Sequence, residues 1–304
     1  MSLAAVPLAL ALDAAIGDPA GLWRRIGHPV TWMGALLTRL EARLNRGRRR
    51  DGVVALGALV GSFAAGAAAV SALLPDGVVG LLAEAAIAST LIAQRSLHQH
   101  VAAVAAAPDL AAARHAVAQI VGRETAALDE AAVARAALET LGENWSDGVV
   151  APVFWFALAG LPGIVAYKAI NTADSMIGHR TPRYEKFGWA AARVDDAANL
   201  VPARLAAVLI AAARPHTFRA WRTVAAGARA HLSPNAGWPE AALAVALGVA
   251  LGGPRRYGAR VVEGVRLNPG GRPARRRDIR RGLALTSAAG LLHGAVYVVL
   301  ALLA

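Results

Sequence analysis

The stretch Glu143–Arg204 reads ENWSDGVVAPVFWFALAGLPGIVAYKAINTADSMIGHRTPRYEKFGWAAARVDDAANLVPAR. It contains both lysines of the chain, Lys168 and Lys186, although the protein otherwise takes its positive charge from arginine. It also gathers asparagines and acids that the surrounding Ala-, Arg-, Gly- and Leu-rich sequence uses sparingly. A concentration of disfavoured polar residue types inside an apolar chain indicates that side-chain chemistry takes place there.

The composition of the whole chain indicates the class of protein to which it belongs. Hydrophobic residues make up 56% of the 304 residues, and the mean hydropathy is +0.44. Both values are high for a soluble domain, so we predict an all-α, polytopic integral membrane protein whose residues 1–304 form a single membrane-embedded domain. The chain has no cysteine, so any metal must be held by oxygen or imidazole ligands.

The positive charge fits a membrane protein better than a nucleic-acid-binding one. The net charge is +12, but the arginines lie between apolar runs, mainly at 39–50 and 255–281. Loops of this kind are typical of the cytoplasmic side of a membrane, so we predict the inner membrane as the location and no nucleic-acid partner. No basic residue precedes the first apolar run, which therefore predicts an uncleaved membrane segment rather than a signal peptide.

Apolar runs of different lengths follow one another along the chain. They lie at 3–17, 53–74, 78–94, 148–170, 199–213, 239–253 and 283–303. A spanning helix needs ~20 apolar residues, a length that only 53–74 and 283–303 reach comfortably. Between the runs, residues 95–142 show helical amphipathic spacing and predict a cytoplasmic helical layer.

The run 148–170 has Gly160-Leu161-Pro162-Gly163 at its centre. Proline removes a helix hydrogen bond and glycine allows a tight turn, so the sequence predicts two half-helices folded back on each other. Broken helices within a membrane are tolerated where they line a cavity or are buried in protein. A re-entrant or broken helix pair here would keep the polar motifs on either side of it on the cytoplasmic face, where we expect the active site.

Three short groups of acids and amides recur at helical spacing. Glu143 and Asp147 in the first group are four residues apart, so helix geometry points both carboxylates the same way, and Asn144 adds an amide oxygen nearby. The other two groups are Lys168, Asn171, Asp174 and Ser175, and then Asp195, Asp196 and Asn199. Oxygen clusters of this type suit Mg²⁺, which binds through one or two carboxylates together with substrate phosphates. We therefore predict Asp174, Asp195 and Asp196 as metal ligands.

Basic and turn residues complete the predicted site. Arginine binds phosphate or carboxylate bidentately and lysine binds it as a point charge. The residues expected to bind substrate in this way are Lys168, Arg180, Arg183, Lys186, Arg193 and Arg204. His28, His179 and Asn235 lie in turn-rich polar segments and are further candidates for substrate binding. The sequence has no P-loop motif, so a nucleotide must be held by another arrangement.

Several long strings carry a resemblance to a known family. ENWSDGVVAP, YKAINTADSMIGHRTPRYEKFGWAAARVDDAANLVPARL, HLSPNAGWPE and DAAIGDP…HPVTWMG are similar to the adenosylcobinamide-phosphate synthase family of cobalamin biosynthesis, of the CbiB/CobD type. The strings are long and span nearly the whole chain. One departure is Glu124, where the family pattern leads us to expect aspartate.

The resemblance implies an acid–amine ligase that uses ATP as co-substrate and Mg²⁺ as cofactor. The implied reaction joins aminopropanol phosphate, or a related amino alcohol, to the free propionate of adenosylcobyric acid. For such a reaction we assign catalytic roles to Glu143, Asp147, Lys168 and Asp174. The strings add Tyr184 to a substrate-binding set that also includes Asn144, Asn171, Ser175 and Asn199. Expected partners are the corrinoid, the amino-alcohol phosphate, the lipid bilayer, and further copies of the chain or other late enzymes of the pathway.

Two other classes of protein also fit these residues when the family resemblance is set aside. A membrane prenyltransferase also holds Mg²⁺-diphosphate on Asn/Asp clusters, but it needs no ATP. A transporter for an anionic metabolite would suit a broken helix at 160–163, but it would make no covalent product.

Overall fold

The computed structural model describes residues 3–257, 260–262 and 264–303. It is largely helical, which confirms the predicted fold class. The helices in chain order are α1 (Ala5–Ala15), α2 (Ala20–Ile26), α3 (Pro29–Leu44), α4 (Arg49–Leu73), α5 (Val78–Ser89), α6 (Gln94–Ala106), α7 (Leu110–Ala118), α8 (Glu130–Trp145), a π-helical turn (Ser146–Val150), α9 (Ala151–Ile177), α10 (Trp189–Ala198), α11 (Leu200–Ala213), α12 (His216–Arg219), α13 (Trp221–Ala230), α14 (Gly237–Leu247) and α15 (Arg276–Leu303).

Four helical segments are long and apolar enough to cross a membrane, and a fifth is added if 189–198 and 200–213 count as one span. The four are Arg49–Leu73, Val78–Ala106, Glu130–Ile177 and Arg276–Leu303. Multiple apolar helices of this length confirm a polytopic membrane protein. The predicted helical layer at 95–142 is present as α6, α7 and α8, although α6 and α8 also belong to two of these segments.

Short strands between residues 249 and 273 are an addition to the all-α fold that the sequence predicts. They are β1 (Val249–Gly252), β2 (Arg255–Tyr257), β3 (Arg260–Val262), β4 (Arg266–Leu267) and β5 (Arg272–Pro273). β1 pairs antiparallel with β4 and parallel with β5, and β2 pairs antiparallel with β3. The apolar run 239–253 therefore contains most of α14, followed by β1. Residues 258, 259 and 263 of the Arg-rich loop lie outside the described residues.

The chain forms two compact units, each assembled from separate segments. Unit 1 contains the residues up to Ala93, Ala151–Asn199 and the chain from Tyr297 onward, and unit 2 contains Gln94–Val150 and Leu200–Val296. In unit 1, α4 packs along α9 and α10, α3 packs on α4 and α9, and α1 packs on α5. In unit 2, α14 packs on α8, α11 and α13. Whether the two units act as one domain stays a prediction.

The α9 segment is the broken helix pair that the sequence predicted. Its backbone leaves helical geometry at Ala159 and Gly160, and Gly160 has φ of 62°. Ala151 and Tyr167 lie in one buried cluster with Ala198. In a straight helix these two residues would be ~24 Å apart, because each residue adds ~1.5 Å. The two arms therefore fold back on each other.

Glycine allows the two arms to meet closely. A Cβ atom at Gly163 would overlap the carbonyl oxygen of Trp155 and the side chain of Ala159. Trp155 packs against the buried cluster of the hairpin and donates its indole N–H to the carbonyl of Ala198, at 3.1 Å. The hairpin is thus joined to the end of α10, next to the residues of the predicted site.

Candidate active site

A buried hydrogen-bond network joins the second arm of α9 to α10 in unit 1. The Tyr167 hydroxyl donates to Asn199 Oδ1 at 2.9 Å, and Asn199 Nδ2 donates to Asp195 Oδ2 at 3.0 Å. Asn171 Nδ2 donates to the other oxygen of Asp195 at 3.4 Å. Both carboxylate oxygens of Asp195 therefore accept an amide hydrogen bond, and the residue is buried. This network fixes the spacing between α9 and α10.

Three carboxylates lie close together beside this network. Asp174 interacts electrostatically with Asp196 and with His179, and Asp195 interacts with both Asp174 and Asp196. Asp174 is partly buried, and no hydrogen bond to its carboxylate is present among the described residues. Like charges brought this close repel one another unless a cation lies between them. The predicted metal candidates are thus brought together in the fold.

The basic residues near these acids come from the loop 178–188 and from α10. Asp196 interacts with Arg180 and Arg193, and Arg193 Nη1 lies 3.6 Å from Asp196 Oδ2. His179, Arg180, Lys186 and Arg193 are exposed, whereas Lys168 and Tyr184 are half-buried. Ser175 is exposed and donates to the carbonyl of Asn171 at 2.9 Å. Exposed cations beside partly buried carboxylates are suited to an anionic ligand that reaches the acids through a metal ion.

Glycines hold the loop 178–188 tightly against the helices. A Cβ atom at Gly178 would overlap the Asp174 carboxylate, and one at Gly188 would overlap the carbonyl of Ile177. On the other side of the loop, a Cβ at Gly52 of α4 would overlap the carbonyl of Phe187. The loop is therefore fixed to α9 at both of its ends and to α4 near its second end.

Arg183 forms an ion pair with Glu41, a contact that the sequence analysis missed. Its Nε and Nη2 donate to Glu41 Oε1 and Oε2 at 2.9 and 2.8 Å. Glu41 is buried on α3, while the Arg183 side chain is 66% exposed. The hydrogen bonds from Arg183 hold the pKa of Glu41 below its usual range, against the opposing effect of burial. Asn45 supports this pair, because its Nδ2 donates to Glu41 Oε1 at 3.1 Å and to the carbonyl of Arg183 at 3.4 Å.

Acidification should weaken the contact between α3 and the loop. The folded-state pKa of Glu41 lies below its unfolded value of ~4.3, so this stabilisation is fully present above that pH. It is lost as the pH falls through the lowered folded-state pKa. We expect the melting temperature of wild-type protein in detergent to fall over this acidic range more steeply than that of Glu41→Gln. Parallel melting curves for the two proteins would contradict this expectation.

Three residues predicted to bind substrate have structural contacts elsewhere. His28 caps α3, since its Nδ1 accepts from the backbone N–H of Val30 at 3.2 Å, and its Nε2 lies 3.4 Å from Asp18. In unit 2, the Arg204 guanidinium lies 4.9 Å from the centre of the Trp238 ring, and its Nη1 donates to Asn235 at 3.4 Å. Arg204 and Asn235 are thus brought together.

The first polar group lies at a separate cavity in unit 2. A cavity of about 190 Å³ is lined by Ile120, Val121, Gly122, Arg123, Glu139, Thr140, Glu143 and Asn144. Arg123 Nη2 donates to Glu139 Oε2 at 2.9 Å, and both side chains are more than nine-tenths buried. Glu143 and Asn144 are exposed at this cavity, and Asp147 is half-buried in the π-helical turn that follows. The catalytic candidates therefore divide between the units, with Glu143 and Asp147 in unit 2 and Lys168 and Asp174 in unit 1.

Sequence reasoning missed Arg123, Glu139, Glu41 and Tyr167 as members of these polar arrangements. The available signal for the first two was the presence of opposite charges within the amphipathic region 95–142. Glu41 was visible as an acid within an Arg-rich stretch. Tyr167 precedes Lys168 directly, but nothing in its spacing indicates that its hydroxyl reaches α10.

The donor set fits a magnesium ion bound in part by a substrate. Among the described residues, no group of three or more His, Asp or Glu side chains could hold a metal ion alone. Mg²⁺ commonly takes one or two protein carboxylates and completes its octahedron with water and phosphate oxygens. Asp174 and Asp196 suit this arrangement, because both oxygens of Asp195 are already occupied by amides.

The fold and the polar clusters define a polytopic helical membrane protein with an acid-rich site beside exposed cations. Residues 6–286 match the model of the CobD/Cbib protein family. The chain is 55% identical over 287 residues to "Cobalamin biosynthesis protein CobD" of Rhodobacter capsulatus, covering 91% of this chain and 90% of the relative. It is 47% identical over 302 residues to the protein of the same name from Brucella suis, covering 94% and 92%.

The chain therefore belongs to the CobD/CbiB family, and it takes part in cobalamin biosynthesis. No solved structure matches it. The family resemblance inferred from the motifs is confirmed, and a corrinoid substrate follows from this role. The prenyltransferase and transporter alternatives are not retained, since relatives that match along nearly the whole chain have cobalamin-biosynthesis names.

Proposed function

We propose that this protein is an ATP-dependent amide ligase. It would join an amino-alcohol phosphate, such as aminopropanol phosphate, to the free propionate of adenosylcobyric acid. The observation that carries the proposal is the group of Asp174, Asp195 and Asp196 beside Arg180 and Arg193, in a chain of the cobalamin-biosynthesis family. Acids that can hold a magnesium-bound phosphate, next to cations that can bind its free oxygens, support chemistry on a nucleotide.

The chemistry requires activation of the propionate. A carboxylate is a poor acyl donor, so one of its oxygens would attack the γ-phosphorus of ATP, giving an acyl phosphate and ADP. The amine would then attack the acyl carbon, and inorganic phosphate would leave with the original carboxylate oxygen. When bound, Mg²⁺ would neutralise charge on the transferring phosphoryl group.

The side chains have distinct roles in this proposal. Asp174 and Asp196 would hold the metal, and Asp195 would fix the spacing of α9 and α10 through Asn171 and Asn199. Lys168 and Arg180 would stabilise negative charge on the transferring group. A carboxylate would accept the proton that the amine loses as it attacks the acyl carbon.

The reaction can be tested with purified protein in lipid nanodiscs, supplied with adenosylcobyric acid, the amino-alcohol phosphate, ATP and Mg²⁺. We expect a corrinoid amide, ADP and phosphate in equal amounts, and no turnover when any one component is omitted. With ¹⁸O in the propionate, one label should appear in the released phosphate. An amide formed without ATP consumption, or AMP in place of ADP, would contradict the proposed mechanism.

A further inference from the structure

An apolar groove on unit 1 lies between α4, α9 and α10. Its volume is about 380 Å³, and it is lined by Val53, Leu56, Gly57, Val60, Ile170, Trp189, Ala190, Arg193 and Val194. This volume lies within the ~300–1,000 Å³ typical of ligand pockets. Arg193 is the charged residue of the lining, so the groove combines apolar walls with a single cation.

The groove lies on a surface whose length, apolarity and exposure suit contact with lipid. The helix Arg49–Leu73 is long and apolar enough to cross a membrane, and little of its surface is buried inside the protein. Val53 is 50% exposed, and Trp189 and Val194 are each 39% exposed. Apolar side chains left open on a spanning helix are solvated by acyl chains in a bilayer.

Positive charge lies at the Trp189 wall of the groove. The Arg49 guanidinium lies 5.1 Å from the centre of the Trp189 ring. Its neighbours Arg48 and Arg50 share Asp51, at 3.1 and 3.8 Å, whereas Arg49 has no carboxylate partner among the described residues. Trp and Arg at the end of a spanning helix are typical of the membrane interface, where basic clusters attract anionic headgroups.

We propose that this groove is a binding site for an anionic phospholipid. One acyl chain would lie along Val53, Gly57, Val60 and Ile170, and the headgroup phosphate would accept hydrogen bonds from Arg49 at the Trp189 wall. Ile170 directly precedes Asn171, and Arg193 and Val194 directly precede Asp195. The bound lipid would therefore pack against the two helices that carry the buried polar network. This inference depends on the membrane location and is independent of the proposed ligase reaction.

Native mass spectrometry of protein released from nanodiscs of phosphatidylcholine and phosphatidylglycerol tests the site directly. A Cβ at Gly57 or at Gly61 would meet no atom within 4 Å, so both positions are open where a side chain begins, and Gly57→Leu and Gly61→Leu form a matched pair of variants. Only Gly57 lines the groove. We expect wild type and Gly61→Leu to retain phosphatidylglycerol, and Gly57→Leu to retain about tenfold less, because the leucine displaces buried methylenes.

The headgroup contact is tested with a second pair of variants. Arg49→Gln should reduce retention of phosphatidylglycerol while leaving that of phosphatidylcholine unchanged, whereas Arg48→Gln, which removes a cation already paired with Asp51, should change neither. Equal retention by Gly57→Leu and wild type would overturn the proposal. So would a change in oligomeric state without a change in bound lipid, because the groove would then hold a second copy of the chain.

Discussion

Replacement of Asp174 or Asp196 by asparagine is expected to lower ligase turnover by at least about a hundredfold while the protein still inserts into the membrane and folds. Each substitution removes a carboxylate charge that the proposed metal requires. It also reduces repulsion among three neighbouring carboxylates, so the melting temperature should stay the same or rise. A loss of activity accompanied by equal or higher stability is difficult to explain by a purely structural role.

Asp195→Asn provides the matched comparison within the same cluster. Its two oxygens accept hydrogen bonds from the Asn171 and Asn199 amides, and an asparagine has only one oxygen to offer. This variant should therefore lose stability, by about 1.5–3 kcal/mol, as expected for hydrogen bonds to a charged group. Asp76→Asn, in an exposed turn, serves as the neutral control. Near-normal turnover in Asp174→Asn or Asp196→Asn would contradict the assignment of the metal ligands.

Gly163→Ala is expected to destabilise the helical hairpin strongly, although it adds a single methyl group. Its Cβ would overlap the Trp155 carbonyl and the Ala159 side chain, where the two arms of the hairpin meet. Backbone cannot move aside as easily as a flexible side chain, so we expect a destabilisation of about 3 kcal/mol. The measurement is the yield of monodisperse protein after membrane extraction, together with its melting temperature.

The matched control is Gly66→Ala on α4, where the added Cβ would meet no atom within 4 Å. Alanine has the higher helix propensity, so this variant should be neutral or more stable by up to ~1 kcal/mol. Equal yields and melting temperatures for the two variants would show that the arms do not approach each other closely at Gly163. The hairpin itself would then be in doubt, and with it the placement of Trp155 beside Ala198.

The hairpin was predictable because its cause is local. Gly160 and Pro162 interrupt an apolar run, and the backbone leaves helical geometry at Ala159 and Gly160. Multiple membrane helices were predictable for a similar reason, since length and hydropathy belong to each segment separately. The strands at 249–273 were missed because each is only two to four residues long. Such short strands cannot show the alternation of apolar and polar residues by which a strand is recognised.

The polar contacts of the site were less predictable. Spacing along one helix correctly grouped Asp195 with Asn199. The spacing gave no indication that the Tyr167 hydroxyl donates to Asn199, or that Glu41 accepts hydrogen bonds from the Arg183 guanidinium. The second pair is separated by 142 positions in the chain. Periodicity reports which side chains share a face of one helix, and it carries no information about the helix packed opposite.

By itself, the amino-acid sequence determined the membrane class, the broken helix and the family, because apolar run length, glycine and proline positions and long motifs are properties of contiguous residues. Only the tertiary structure decided which polar side chains contact one another. It occupied both oxygens of Asp195 with amides, placed Asp174 and Asp196 beside it, and paired Arg183 with Glu41. It also placed Glu143 at a cavity with Arg123. Hydrogen bonds and charge repulsion depend on distances of a few ångströms between separate helices, and only packing sets those distances.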